Sequence, residues 1–274
     1  MSVTTSSERA GVARAFAAAR ARGRAAFVPY VTAGHPSPAE TLDVLRMLAA
    51  EGADVIELGI PFSDPLADGP TVQKSSFAAI EQGADLPWTL SVLAEFRRES
   101  DTPVVLFTYL NPVLHHGLER FLSDAAEAGA DAVLLVDLPV GADAEIERAV
   151  DESALDLIRL IAPTTTPERV KEIARAARGF IYYVSRTGVT GAQQDLSAGL
   201  AREVAEVRAV TDVPVAVGFG ISTPEQAAAV ARIADGVVVG SALVDALGRG
   251  GVDAARAYVR SLRAAIDAAA RSTS

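Results

Sequence analysis

The fold class this sequence predicts is α/β: a single (β/α)8 barrel of the TIM type, with one extra helix ahead of the first strand. Three observations predict it. Continuous runs of Val, Ile, Leu and Phe recur eight times along the 274 residues, and runs apolar at every position mark strands buried on both faces, as parallel sheets require. Between the runs lie stretches with helical spacing and helix-capping residues, so strand and helix alternate. The side chains that carry chemistry collect just after the strands, where such barrels place their sites. A doubly wound open sheet shares the alternation and stands as the alternative.

Residues 1–7 form a polar tail, and residues 8–22, with Val12 and Phe16 at i and i+4, form the extra helix. The first strand is 27–32, FVPYVT; its Pro29 demands an edge, a bulge or a barrel end. Gly34 and Pro36 break the run. Ser37-Pro38-Ala39-Glu40 then reads as a capping box with Pro at the first helical position, opening a helix to about residue 50. Strand two, 55–59, is followed by helical stretches at 71–82 and 87–98. Strand three, 104–109, is closed by Asn111-Pro112, and a helix at 118–128 leads to strand four, 132–136, ending in Asp137-Leu138-Pro139. A helix at 142–150 precedes strand five, 156–161, and Thr166-Pro167 opens the next helix. Strand six is 180–185 and strand seven 213–218; Thr223-Pro224-Glu225-Gln226 is a second capping box. Strand eight, 236–240, precedes a final helix at 252–270. EGADVIEL before strand two is echoed by AGADAVLL before strand four. No Pro-, Gly- or Ser-rich linker interrupts the chain, so residues 8–270 read as one domain, with 271–274 a second tail.

Composition excludes several function classes. A formal charge of −10 argues against a nucleic-acid or anionic-membrane surface, which needs basic patches. With no cysteine there is no disulfide framework or thiol nucleophile. Only Lys74 and Lys171 are lysines, both in helical stretches, which disfavours a Schiff-base enzyme. His35, His115 and His116 make no ligand spacing, so no metal site is expected; His115 and His116 read as solvated loop residues. The leading MSVTTSSERAG lacks the apolar core of a signal peptide and no run reaches the roughly 18 apolar residues of a membrane span, so a cytoplasmic protein is expected.

Residues 52–70, GADVIELGIPFSDPLADGP, place Glu57 inside an apolar strand and Asp68 in the loop after it. The bland reading of Glu57 is a strand-end acid facing solvent. As a buried acid it would have a raised pKa suited to proton transfer, while Asp68 in a polar loop would stay ionised. At the far side, GFGIS (218–222) and GSALV (240–244) end strands seven and eight. Glycines admit a close main-chain approach to an anion, and a helix starting at Ser241 would add its positive dipole end. This pair of loops commonly forms a phosphate cup, with Gly188 and Gly191 of the preceding loop nearby. The alternative is that these glycines only make tight turns; GFGIST lacks the last glycine of a dinucleotide fingerprint.

Read in order, FVPYVTAGHP, ELGIPFSDPLADGP, YLNPV, DLP, APTTT, YYVSRTGVTG, VGFGIS and GSALV resemble the tryptophan synthase alpha subunit family from about Phe16 to the final helix. The resemblance implies a carbon–carbon lyase of L-tryptophan biosynthesis that splits indole-3-glycerol phosphate into indole and glyceraldehyde 3-phosphate. It implies Glu57 as general acid/base, Asp68 at the indole nitrogen and Tyr182 assisting. It implies an indole pocket of Tyr30, Phe107, Tyr109 and Phe219, for each of which core packing is an equally good local explanation. Gly191, Gly220, Gly240 and Ser241 match the phosphate positions, and Arg186 and Thr190 lie in a lid that closes over the substrate. The family also implies a pyridoxal-phosphate beta subunit as partner in an α2β2 heterotetramer, with no cofactor in this chain and with Pro61, Asp64 and Asn111 at the contact face. Departures are modest: His35 replaces an acid in the first loop, and Thr187 follows Arg186. A stand-alone lyase, a different phosphate-binding barrel and a catalytically silent subunit are the rival readings.

Overall fold

The computed structural model describes residues 11–185, 193–218 and 220–269, with the backbone alone for 193–198. Its elements run α1 (Gly11–Ala21), β1 (Ala26–Thr32), a 3-10 turn (Pro38–Glu40), α2 (Thr41–Ala50), β2 (Ile56–Gly59), α3 (Pro70–Glu81), α4 (Leu86–Arg97), β3 (Val104–Thr108), α5 (Leu110–His116), α6 (Leu118–Glu127) and β4 (Ala132–Leu135). They continue with α7 (Ala144–Glu152), β5 (Asp156–Leu157), β6 (Arg159–Ile161), α8 (Pro167–Ala176), β7 (Ile181–Val184), α9 (Gln193–Arg208), β8 (Val215–Gly218), α10 (Pro224–Ala231), β9 (Gly236–Val239) and α11 (Ser241–Ala268), the last kinked at Gly251.

All strand pairs are parallel, in the order β5-β4-β3-β2-β1-β9-β8-β7-β6. The two ends of that sheet, β5 and β6, are halves of the predicted fifth strand, interrupted at Ile158. The first half pairs with β4 and the second with β7. A strand shared in this way closes the sheet on itself, which settles the choice between barrel and open sheet.

Alternate residues of every strand serve two cores. Inward positions Ala26, Val28, Val55, Val105, Leu134, Ile158, Phe180, Ala216 and Val238 fill the barrel. Outward positions such as Phe27, Val31, Ile56, Leu58, Leu106, Ile181 and Val237 pack under the helices. The extra helix α1 plugs the N-terminal end: Val12 and Phe16 join the inner core, and Phe16 stacks on Phe180 at 5.2 Å. Gly236 is needed there, because a Cβ on it would strike the Phe16 ring.

The repeated Gly-Ala-Asp has a common structural meaning. Asp54 accepts the Phe27 amide at 2.9 Å and Asp131 the Val104 amide at 2.9 Å; Asp235, preceded by Ile-Ala rather than Gly-Ala, likewise accepts the Val215 amide at 3.0 Å. Each aspartate, at the start of its own strand, ties down the start of its neighbour, and each is paired with arginine: Arg24 and Arg263, Arg97, and Arg208 respectively. These clamps lie at the barrel end opposite the strand C-termini.

Several local expectations need correction. Ser37 makes no capping bond to backbone; its hydroxyl donates to the Glu40 carboxylate at 2.7 Å, and the α-helix begins only at Thr41. Pro29 sits in a central strand, not at an edge; the β1–β2 register starts at Tyr30↔Glu57, one step past it, so its missing N–H falls before that ladder. Asn111 and Pro112, expected to close the third strand, lie inside α5, as do His115 and His116, expected in a loop. His116 is not solvated: it is largely buried and bonded to Asp124 at 2.7 Å. The capping box at Thr223 and the cap at Thr166 form as predicted. Among the described residues no helix is long and apolar enough to cross a membrane.

Candidate active site

A cavity of about 660 Å³ opens at the C-terminal ends of the strands. Its floor is the last inward-facing layer of the barrel: Tyr30, Glu57, Phe107, Leu160, Tyr182 and Val238. Because Val55, Glu57 and Gly59 share one face of β2, the periodicity that buries Val55 also turns Glu57 inward. Glu57 is 1% exposed, and its Oε1 has no hydrogen-bond partner among the described residues. Burial alone pushes its carboxyl up to about 8. At neutral pH it therefore holds a proton, ready to give or retrieve it.

Asp68 lies on the same cavity, on the loop after β2. The loop is half-buried at this point rather than freely solvated, and that burial lifts the Asp68 carboxyl to about 6, opposed by a hydrogen bond from the Tyr109 hydroxyl at 3.1 Å. At pH 7 the ionised form still dominates, so the two acids differ in charge as expected.

The loop is held from below. Ser76 of α3 bonds both main-chain groups of Phe62, at 2.7 and 2.9 Å, and the Gln73 side chain donates to the Asp68 carbonyl at 2.8 Å. Tyr109 accepts the Ala67 amide at 3.0 Å while donating to Asp68. Tyr109 thus supports the acid and is not among the residues lining the cavity, whereas Tyr30 and Phe107 are, with ring centroids 5.1 Å apart in an edge-on pair. Ser76 and Gln73 carry no sequence signal beyond their helical position, and sequence reasoning misses both.

Opposite the acids the cavity is lined by Gly220, Ser222, Gly240, Ser241 and Ala242. Gly240 is the residue before α11, and Ser241 is its first, so the positive end of the helix dipole opens on the cavity. Gly220 has φ +77°, a conformation that favours glycine. The two acids and the glycine-rich turns therefore face one space. Val136, Leu160, Ala162, Val184, Ile221 and Val238 complete the wall; as ordinary apolar residues at inward positions they offer nothing to single out from sequence.

Phe219, Gly191, Arg186 and Thr190 lie outside the described residues. Of the three predicted contact residues, Asp64 and Asn111 are exposed, but Pro61 is buried and presents no free surface. The exposed apolar tip of that loop is Leu66, 90% accessible.

A protein-family model described as tryptophan synthase alpha chain matches residues 16–272. The chain is 52% identical over 233 residues to the tryptophan synthase alpha chain of Geobacter sulfurreducens, covering 85% of this chain and 88% of that one. It is 53% identical over 229 residues to that of Citrifermentans bemidjiense, covering 84% and 86%. Among solved structures, tryptophan synthase subunit alpha from Legionella pneumophila superposes with a TM-score of 0.86 at 37% identity, over 94% of this chain and 98% of that chain. A chain of Mycobacterium tuberculosis tryptophan synthase in its aminoacrylate-bound form superposes with a TM-score of 0.85 at 36% identity, over 93% and 99%. With fold, cavity and sequence agreeing over nearly its whole length, this chain belongs to the tryptophan synthase alpha chain family.

Proposed function

We propose that this chain is a lyase that cleaves indole-3-glycerol phosphate to indole and D-glyceraldehyde 3-phosphate, as the alpha subunit of tryptophan synthase in L-tryptophan biosynthesis. The observation that carries the reading is the shared cavity: a protonated Glu57 and an ionised Asp68 on one wall, and main-chain amides at Gly220, Gly240 and Ser241 on the other.

The chemistry follows from that pairing. Glu57 delivers its proton to C3 of the indole ring, and the positive charge that develops toward the ring nitrogen is stabilised by the Asp68 carboxylate, which also holds the ring N–H. Glu57, now ionised, takes the proton of the side-chain hydroxyl next to the ring. As that carbon becomes an aldehyde, the carbon–carbon bond breaks and its electron pair neutralises the ring. The hydroxyl proton thus replaces the one that stays on C3 of the indole, so the carboxyl ends as it began. Tyr182 lines the reacting region, and Phe107 with Tyr30 flanks the ring. Backbone amides hold the phosphate without a lysine, which suits a chain of net charge −10.

The reading extends to one domain over residues 8–270, to a cytoplasmic location, and to an α2β2 assembly whose beta subunit holds the pyridoxal phosphate, none being needed in this chain. Asp64 and Asn111 would meet that partner, and Arg186 and Thr190 would belong to a lid coupled to docking through the Asp68 loop. Supplying indole-3-glycerol phosphate and measuring indole release, with and without a beta subunit, tests the reading. Absence of indole in both arms refutes it, and a rate and loop proteolysis unchanged by the partner refute the coupling.

A further inference from the structure

We propose that the phenol oxygen of Tyr30 is a hydrogen-bond acceptor in the cavity wall that reads a hydroxyl on the three-carbon chain of the substrate. A hydroxyl relay through Thr32 and Ser75 sets its polarity. The inference rests on the substrate class proposed above.

Counting protons along the relay fixes its direction. The Ser75 hydroxyl donates to the Val72 carbonyl at 2.8 Å, so toward Thr32, 2.7 Å away, its oxygen can only accept. Thr32 thereby uses its single proton on Ser75, and toward the Tyr30 hydroxyl, 3.3 Å away, it too can only accept. Tyr30 must therefore point its proton into the wall, leaving oxygen lone pairs for the cavity. Thr32 and Ser75 are 2% and 3% exposed, so water does not compete for the relay. Burial and the nearby Asp68 and Glu57 hold the phenol far above its ordinary pKa, so it is a neutral acceptor throughout the working range.

Its position selects what it reads. The Tyr30 side chain starts beside Gly240, where a Cβ would lie 3.5 Å from the tyrosine Cβ, and its hydroxyl lies over Gly59, the inward neighbour of Glu57 on β2. The ring thus runs from the glycine-rich end of the cavity to the acid end. A ligand with its phosphate at one end and its indole at the other lays its connecting chain along this ring, and that chain carries two hydroxyls. A phenylalanine would serve equally well as an apolar wall, but it would not leave an acceptor there.

The test compares two ligands by titration calorimetry against a Glu57→Gln parent, which does not consume them: indole-3-glycerol phosphate, and the same molecule with both side-chain hydroxyls replaced by hydrogen. Tyr30→Phe is expected to weaken the first by about 3–10-fold, the equivalent of one neutral hydrogen bond, and the second by less than about twofold. Thr32→Val keeps the phenol but frees its proton, which can then donate to the same ligand hydroxyl, so it should weaken the hydroxylated ligand by less than Tyr30→Phe does and leave the other ligand unchanged. In turnover by otherwise wild-type protein, Tyr30→Phe should raise KM more than it lowers kcat. Equal losses for both ligands, or none for either, overturn the inference. Should Tyr30→Phe fail to fold, the same two-ligand comparison on Tyr30→Leu, which also removes the phenol oxygen, decides the matter. A parent that binds neither ligand instead refutes the proposed function, a result read before any Tyr30 variant is made.

Discussion

Two parts of the barrel rim repeat one arrangement with different contents. On β1 and β2, Tyr30 pairs with Glu57 and its hydroxyl lies over Gly59; on β7 and β8, Tyr182 pairs with Ala216 and its hydroxyl lies over Gly218. In both, a glycine at the end of the next strand makes room for a phenol leaning across the sheet. The first carries the buried acid and a wired hydroxyl. The second carries alanine at the acid's place, and its hydroxyl has no hydrogen bond among the described residues. The same scaffold therefore serves both, and chemistry enters through what replaces one inward side chain.

Breaking the comparison at the acid should have the largest effect. Glu57→Gln leaves the first unit without a transferable proton, as the second is, and is expected to lower kcat by about 10²–10⁴-fold in an indole-release assay while leaving binding nearly intact. Next come the glycines: Gly59→Ala and Gly218→Ala each drive a Cβ into a phenol, and each should cost about 1–3 kcal/mol in thermal or denaturant unfolding. If only one is destabilising, the two units are not equivalent.

The acid also makes stability depend on pH. Glu57 has a folded pKa raised to about 8 from 4.5, so the folded state retains a proton that the unfolded chain releases. Its contribution is fully present below about pH 4.5 and declines as pH rises toward 8. Glu57→Gln should remove that decline, making the variant the more stable protein near pH 8 in denaturant titrations. The smallest effect belongs to the loop. Tyr109→Phe removes the bond that holds the Asp68 carboxyl down. The acidic limb of kcat/KM should move upward by a fraction of a pH unit, with a loss of about 2–5-fold on that limb.

Much of this is legible in the chain itself. Strand positions, the helix ahead of the first strand, the caps at Thr166 and Thr223 and the glycine-rich turns all follow from local pattern, because backbone preference and periodicity act over a few residues. The Gly-Ala-Asp echo is visible as words, but its role as a clamp on the neighbouring strand is not. Ser37 fails as a helix cap because its hydroxyl finds the Glu40 carboxylate instead. Tyr109 reads as a pocket residue because aromatic residues at strand ends look alike in sequence. Whether a ring faces ligand or supports a loop depends on where its oxygen ends up, here against Asp68, 41 residues away in sequence. Resemblance alone places Pro61 at the contact face, and only packing reveals that it is buried while Leu66 is not.

By itself, then, the sequence determined the order of elements, the family and the identity of the two acids. The tertiary structure alone decided the depth at which each acid is buried, the contacts of the Tyr30 hydroxyl and the closure of the barrel through a divided fifth strand. The reason is physical: a pKa or a hydrogen-bond polarity is set by which solvent is removed and which partner is near, and around Glu57 that is done by Tyr30, Phe107 and Tyr182, contributed by three other strands.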